Sequence, residues 1–325
     1  MKKTLALILL FALLSFAFAA FAEEADEIYT LAMAHYYGVG VKQDDQKAVA
    51  LLEQAAELGQ PDAMRKLGDC YRYSRGVDRS RELSELWYRK ALACCEQAAQ
   101  TGDANAMIKA GDVLRALSSY DYTLQDLKDQ ALAWYLKAAE AGSAEGMCLA
   151  GVWFEGRAFH SGDDAEKYYR AALEWYQEAA EAGSANALYR IGWLYENGYG
   201  AAQDNEQAMK YYILAAEAGD AAVCHHLGEL YQMGYGFLAQ DWRYAEKWYL
   251  KAAEAGNTSA MWRLGMMFGY GDSYDSGNPV DYEKAVYWLQ KTIDREENPD
   301  IRSDAVTDLY YVTQSMNASQ PDRSE

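Results

Sequence analysis

Between Ala187 and Gly219 the apolar positions follow a helical period that glycine interrupts twice. Leu188, Ile191, Leu194 and Tyr195 recur at three-and-four spacing and therefore share one face of a helix. Gly198 and Gly200 supply the left-handed backbone that a helix C-terminus needs. Asp204 stands where an N-cap is expected, with Gln207 three residues on as its capping-box partner. The helix that follows carries Ala208, Tyr211, Tyr212, Ala215 and Ala216, and Gly219 stops it. Asp220 can then cap the next helix. The pattern predicts an αα-hairpin: helix, glycine turn, capped helix, glycine turn.

The same string returns along the chain. Ala-Ala-x-x-Gly occurs at Ala55-Ala56/Gly59, Ala98-Ala99/Gly102, Ala138-Ala139/Gly142, Ala179-Ala180/Gly183, Ala215-Ala216/Gly219 and Ala252-Ala253/Gly256, with a degraded copy at Thr292-Ile293 and Glu296. A first-helix signal marches in step through Leu31-Ala32, Leu67-Gly68, Ala110-Gly111, Ala150-Gly151, Ile191-Gly192, Leu227-Gly228 and Leu264-Gly265. A repeat at a fixed period of this length is the signature of stacked helical units, none of which buries its apolar face alone. The expected fold is all-α, a right-handed α/α superhelix (solenoid) of about seven helix-turn-helix repeats over 23–299. The repeats are placed at about 28–62, 63–105, 106–145, 146–186, 187–222, 223–259 and 260–299. Extra residues of the longer copies fall between the two helices, around Arg75–Arg81, Ser118–Gln125, Arg157–Asp164 and Asp272–Pro279. Over 300–316, Ile301, Ala305, Leu309, Val312 and Met316 share one face, which suits a capping helix; 317–325 is polar and expected to be disordered.

The N-terminus changes the picture of where the protein works. Lys2-Lys3, the apolar run Leu5–Phe18 and the small-x-small triplet Ala20-Phe21-Ala22 read as a secretory signal peptide over 1–22. The first cysteine is Cys70, so no lipid attachment at the cleavage point is expected. The mature protein is expected to be exported, periplasmic or secreted, with no membrane insertion after cleavage near Ala22. The formal charge of -19 argues against nucleic acid or anionic lipid as partner.

Leu-Gly-x-x-Tyr, Gly-x-Gly, Gln-Asp, Ala, Trp/Tyr-Tyr and Ala-Ala-Glu-x-Gly, in that order, resemble the Sel-one-like repeat (SLR) family, a relative of the tetratricopeptide repeat. The tetratricopeptide unit is shorter, about 34 residues, and lacks the turn seen at Gly38/Gly40, Gly198/Gly200 and Gly234/Gly236. The resemblance is loosest in the second to fourth copies, where Leu114-Arg115-Ala116 and Phe154-Glu155-Gly156 depart from it. It implies a curved scaffold for protein complexes, in bacteria often an exported regulator or host-interaction factor. No cofactor is expected.

By analogy with tetratricopeptide solenoids, first helices would line a concave face that takes a protein or peptide ligand. The columns so exposed would be Tyr29, Arg65, Ile108, Cys148, Tyr189, His225 and Trp262; Met33, Asp69, Asp112, Val152, Trp193, Glu229 and Met266; and Tyr36, Arg72, Arg115, Glu155, Glu196 and Gln232. The binding groove is therefore expected at Tyr29, Arg65, Asp69, Arg72, Tyr189, Trp193, Glu196, His225, Glu229, Trp262 and Met266. Rigid aromatics of this kind suit a peptide groove. A register shifted by one residue would make the same side chains core. An aromatic strip beside carboxylates would also suit stacked sugars, as in a glycan- or peptidoglycan-binding module.

Five cysteines in an exported chain raise the question of disulfides. The two helices of a hairpin pack together, so Cys70 could bridge to Cys94 or Cys95, while Cys224 sits in a column with Met64, Met107 and Met261 and suits an inert core. His225 and Glu229 lie one turn apart, but no third ligand follows at metal spacing. Asp272, Gly277 and Glu283 match three places of a calcium loop, yet Tyr274 and Ser276 occupy ligand places, so an inserted turn is expected. Ser-x-x-Lys, Gly-x-Ser-x-Gly, His-Glu-x-x-His and the P-loop are all missing from the sequence. One branch of the resembled family is β-lactamase-like or penicillin-binding, but it pairs cysteines inside each repeat at short spacing that this chain lacks. A non-enzymatic protein is expected.

Overall fold

Helices start where a short polar side chain precedes an apolar-periodic run. Asp44 accepts from the N–H of Lys47, Ser80 from Leu83, Ser184 from Ala187, Asp204 from Gln207 and Asn257 from Ala260. Asp220 accepts from both Ala222 and Val223. Each satisfies N–H groups that the first helical turn leaves without a partner. The reciprocal half of the capping box at Asp204 does not form: the Asp204 N–H donates to the carbonyl of Tyr195 instead (2.9 Å). At the other end, Gly198 (φ 69°) takes the left-handed conformation and its N–H returns to the Leu194 and Tyr195 carbonyls.

The computed structural model describes residues 23–119, 125–234, 239–271, 280–296 and 298–319. The expected signal peptide, the calcium-like stretch from Asp272 to Gly277 and residues 320–325 lie outside them. The described elements are α1 (23–37), α2 (Asp45–Glu57), α3 (Pro61–Tyr73), α4 (Arg81–Ala99), α5 (Ala104–Ser118), α6 (Gln125–Glu140) and α7 (Ala144–Phe159). They continue with α8 (Ala165–Glu181), α9 (Ala185–Asn197), α10 (Asn205–Glu217), α11 (Ala221–Met233), α12 (Trp242–Glu254), α13 (Thr258–Tyr270), α14 (Tyr282–Arg295) and α15 (Pro299–Ser319). Residues 317–319, expected to be disordered, are helical. No strand occurs among the described residues, and no helix there is long and apolar enough to cross a membrane. The fold is all-α, of the tandem helical-repeat class.

The chain divides into two compact units, Met1–Trp153 and Phe154–Glu325. In the first, α3 pairs with α4 and α5 with α6, while α2 meets α3 and α4 meets α5. Its core is built on Leu52, Leu67, Cys70, Tyr88, Ala91, Val113 and Leu117. In the second, α9 pairs with α10, α11 with α12 and α13 with α14, and α8, α10, α12 and α14 each pack on the first helix that follows. Its core runs through Tyr212, Leu227, Leu230, Trp248, Tyr249, Leu264, Met267, Phe268 and Leu289. There α15 docks through Ala305 and Val312, both buried, with Leu309 at the edge.

One contact recurs in four hairpins, while in α13–α14 Leu289 takes the tyrosine's place against Gly265. A tyrosine of the second helix lies fully buried against the glycine of the first: Tyr88 on Gly68, Tyr135 on Gly111, Tyr212 on Gly192 and Tyr249 on Gly228. The ring needs the space a Cβ would fill, and its hydroxyl must find an acceptor inside the fold. It does so on the first helix, where Tyr88 donates to Asp69 (2.6 Å), Tyr135 to Asp112 (2.8 Å), Tyr249 to Gln232 (2.7 Å) and Tyr212 to Glu196. Small first-helix residues thus admit the rings that hold polar side chains of the first-helix faces, three carboxylates and the Gln232 amide.

Candidate binding face

The residues expected to line a groove divide between the two units. In the first, Tyr29, Arg65, Asp69 and Arg72 are half-buried. Asp69 holds the Tyr88 hydroxyl and lies 3.9 Å from Arg65 and 3.7 Å from Lys66. Arg72 reaches from α3 to the C-terminus of α5, donating to the carbonyls of Ala116 and Ser119 (3.0 Å each) and to the Ser119 hydroxyl. A guanidinium at a helix C-terminus meets the orphan carbonyls and the negative end of the dipole. Arg72 thus braces neighbouring repeats, while Arg65 and Asp69 pair within α3 and its own hairpin. Burial pushes the Tyr29 phenol up from its ordinary value, and Asp62 adds to the shift.

Three of the positions placed in the exposed columns are instead buried: Tyr36, Ile108 and Cys148. The guanidinium of Arg75 covers Tyr36, 3.5 Å from its ring centroid, with an ion pair to Asp45 (3.0 Å) behind it. The alternative of core packing holds at these places.

In the second unit, Tyr189, Trp193 and Glu196 on α9, His225 and Glu229 on α11, and Trp262 and Met266 on α13 are all half-buried. Tyr189 and Trp262 lean on the unit's core. Trp262 is further engaged by α15, its indole N–H donating to Asp308 (2.8 Å). Trp193 lies 5.3 Å from the Tyr199 ring, which stacks on Tyr169 at 4.5 Å with planes 7° apart. Tyr189 lies 5.4 Å from the Tyr212 ring and 6.0 Å from His226. Burial raises the Tyr189 phenol pKa, and the nearby Glu196 carboxylate raises it further.

His225 Nδ1 lies 3.8 Å from Glu229, and Glu229 also pairs with Arg263 (3.1 Å). Burial holds the His225 imidazole below its ordinary value of 6.5; Glu229 opposes this, and Arg263 and His226 reinforce it. No group of three or more possible metal ligands occurs among the described residues. All five cysteines are thiols in this structure, and the Cys70–Cys94 and Cys70–Cys95 bridges are not formed; Cys94 Sγ faces Met64 Sδ at 3.8 Å.

The columns expected from sequence pass over one that the structure brings out. The residue just before the Leu-Gly position is basic in four copies, Lys66, Lys109, Arg190 and Arg263; Lys66 pairs with Asp69 on its own helix, and the other three reach back to an acid on the preceding first helix. Lys109 meets Asp62 on α3 (2.6 Å), Arg190 meets Glu155 (3.0 Å), and Arg263 meets Glu229 on α11. The signal was present as basic residues at one register position, next to columns chosen for their aromatics.

Sel1 repeat family matches run over 28–60, 61–94, 104–143, 144–184, 185–220, 221–257 and 258–296. Among solved structures, the chain is similar to a Sel1 repeat protein from Oxalobacter formigenes, at 27% identity and a TM-score of 0.50, over 91% of this chain and 77% of that one. It is also similar to a protective antigen of uropathogenic Escherichia coli displaying an SLR fold, at 24% identity and a TM-score of 0.48; the match covers 90% of this chain and 57% of that protein's length. A third similarity is to a Klebsiella pneumoniae Sel1 repeat protein, at 20% identity and a TM-score of 0.39, covering 68% of this chain and 99% of that one. No curated protein matches the chain. With seven repeat matches spanning most of its length, the chain belongs to the Sel1 repeat family.

Proposed function

We propose that the protein is a binding scaffold which takes a protein or peptide partner on the first-helix faces of the second unit. The observation that carries this is the row Trp193, His225, Glu229 and Met266, partly exposed on α9, α11 and α13 in successive repeats. Tyr and Trp give large contact area at small entropic cost, and polar groups beside them fix register. Trp262 contributes as a wall of the face, since its indole N–H is already satisfied by Asp308. In the first unit Arg72 braces neighbouring repeats, and Arg65 and Asp69 are engaged with each other on α3.

The signal-like segment over 1–22 supports export, with work as an envelope or secreted adaptor. Affinity capture from the native organism, comparing the wild-type chain with a Trp193→Ala, Met266→Ala variant of unchanged helicity, tests the face. Loss of the captured partner is expected; full retention would remove these residues from the site. Sequencing the N-terminus of the purified native protein tests export, with Glu23 expected first.

A further inference from the structure

The inter-repeat ion pair made at Glu155 is not repeated at the equivalent carboxylate of the next repeat, which lies within the proposed face. Glu155 shows the complete arrangement: its Oε2 accepts from the Tyr176 hydroxyl (2.5 Å) and from Arg190 Nη1 (3.0 Å), the arginine coming from the next first helix. Arg190 Nη1 also lies 3.4 Å from that hydroxyl, so the three groups close on one another. One repeat later Glu196 stands at the matching place and accepts from the matching tyrosine, Tyr212. The residue matching Arg190 is now His226. Its ring turns edge-on to Tyr212 (5.2 Å, planes at 90°) and to Tyr189, and its Nε2 has no hydrogen-bond partner. Among the described residues no lysine or arginine comes within ion-pair distance of Glu196, whereas Asp62, Glu155 and Glu229 each have one from the following first helix.

From this we infer that Glu196 is the subsite for a cationic side chain, lysine or arginine, of the bound peptide. The partner supplies the ion pair that the chain itself omits. A half-buried carboxylate with one neutral donor retains acceptor capacity, and a charge-assisted bond is the strong way to use it. Trp193 lies one turn from Glu196 on α9, and Tyr189 approaches from the same helix. Aromatic faces beside a carboxylate favour a cation by its stem and its charge together. A chain of net charge -19 also draws basic partners toward it from a distance.

This inference rests on the binding-scaffold reading, and the test separates the two. A random peptide library displayed on phage is selected near neutral pH against the purified full chain and against Glu196→Gln, His226→Arg and Trp193→Ala. The wild type is expected to enrich peptides with Lys or Arg at one fixed place beside apolar residues. Glu196→Gln should lose about tenfold or more of that basic preference, one charge-assisted hydrogen bond's worth, while keeping the apolar one. His226→Arg restores the ion pair from within and should abolish the basic preference in a fold at least as stable, so it decides the matter if Glu196→Gln folds poorly. Trp193→Ala should lose the apolar preference. Enriched peptides with no basic place, or a basic place that survives in His226→Arg, would overturn the Glu196 subsite and leave the scaffold reading standing. No enrichment by the wild type would overturn both.

Discussion

The ring of Tyr212 packs so closely on Gly192 that a Cβ added there would lie 2.7 Å from both Cδ1 and Cε1. The same added atom would sit 3.0 Å from the Ala208 carbonyl oxygen, so neither neighbour can simply swing aside. Helix propensity alone favours alanine over glycine by about 1 kcal/mol. Overpacking of a filled core costs about 1–3 kcal/mol. Gly192→Ala is therefore expected to lower stability despite improving the isolated helix. Urea midpoints of the wild type and variant check this, and a higher midpoint in Gly192→Ala would show that the hairpin does not depend on this contact.

The hairpins were legible because their cause is local. Gly192, Ala215 and Ala216 recur at fixed places, and Asp204 and Asp220 stand where caps belong. The face was less legible, because the same register holds side chains with different employment. Ile108 shares a column with Tyr189, and Tyr36 shares one with Glu196, yet Ile108 and Tyr36 are buried. Arg72 looks like a groove residue in sequence, but it caps α5, 44 to 47 positions away along the chain. Such long-range partners leave no mark in a repeat unit. The omission at His226 was visible in principle, since Lys109, Arg190 and Arg263 occupy its register position, but only the distances to Asp62, Glu155 and Glu229 give the column a meaning.

His225 makes the second unit sensitive to acid. Its imidazole titrates below 6.5, chiefly through burial, so the unfolded chain takes up the proton before the folded one does. The stability linked to this group is complete above pH 6.5 and is lost as pH falls below it through the folded value. Thermal melts from pH 7.5 downward should show a falling midpoint in the wild type and a shallower fall in His225→Gln. Identical slopes in the two proteins would remove His225 as the source.

The thiols should differ sharply in reactivity. Burial pushes Cys70 up to about 11 and Cys95 up to about 12, and it also raises Cys224. The thiolate is the nucleophile, so these side chains are inert to alkylation near pH 8 while the fold holds. Cys94 is half-buried and should react first with iodoacetamide. Mass mapping of native and urea-unfolded protein without reductant checks both points: one early site in the native state, five on unfolding. A Cys70–Cys94 or Cys70–Cys95 bridge in the exported protein would leave two sites unlabelled and a mass lighter by two hydrogens.

The C-terminal helix is held by polar contacts as well as by its apolar face, and one of them reaches α13. Asp308 on α15 accepts from the indole of Trp262 on α13, while Val312 on the following turn fills the space above Gly269, 2.6 Å from where its Cβ would be. A hydrogen bond to a charged acceptor is worth about 1.5–3 kcal/mol. Asp308→Ala should therefore raise amide hydrogen exchange across 299–319 while α9 to α12 keep their protection. Gly269→Ala should do the same by the packing route, pushing Val312 outward. If both variants leave exchange in α15 unchanged, the helix is held by something other than this docking. If exchange rises through α11 as well, α15 secures the face that includes His225 and Glu229, and Asp308→Ala should then weaken partner capture along with Trp193→Ala.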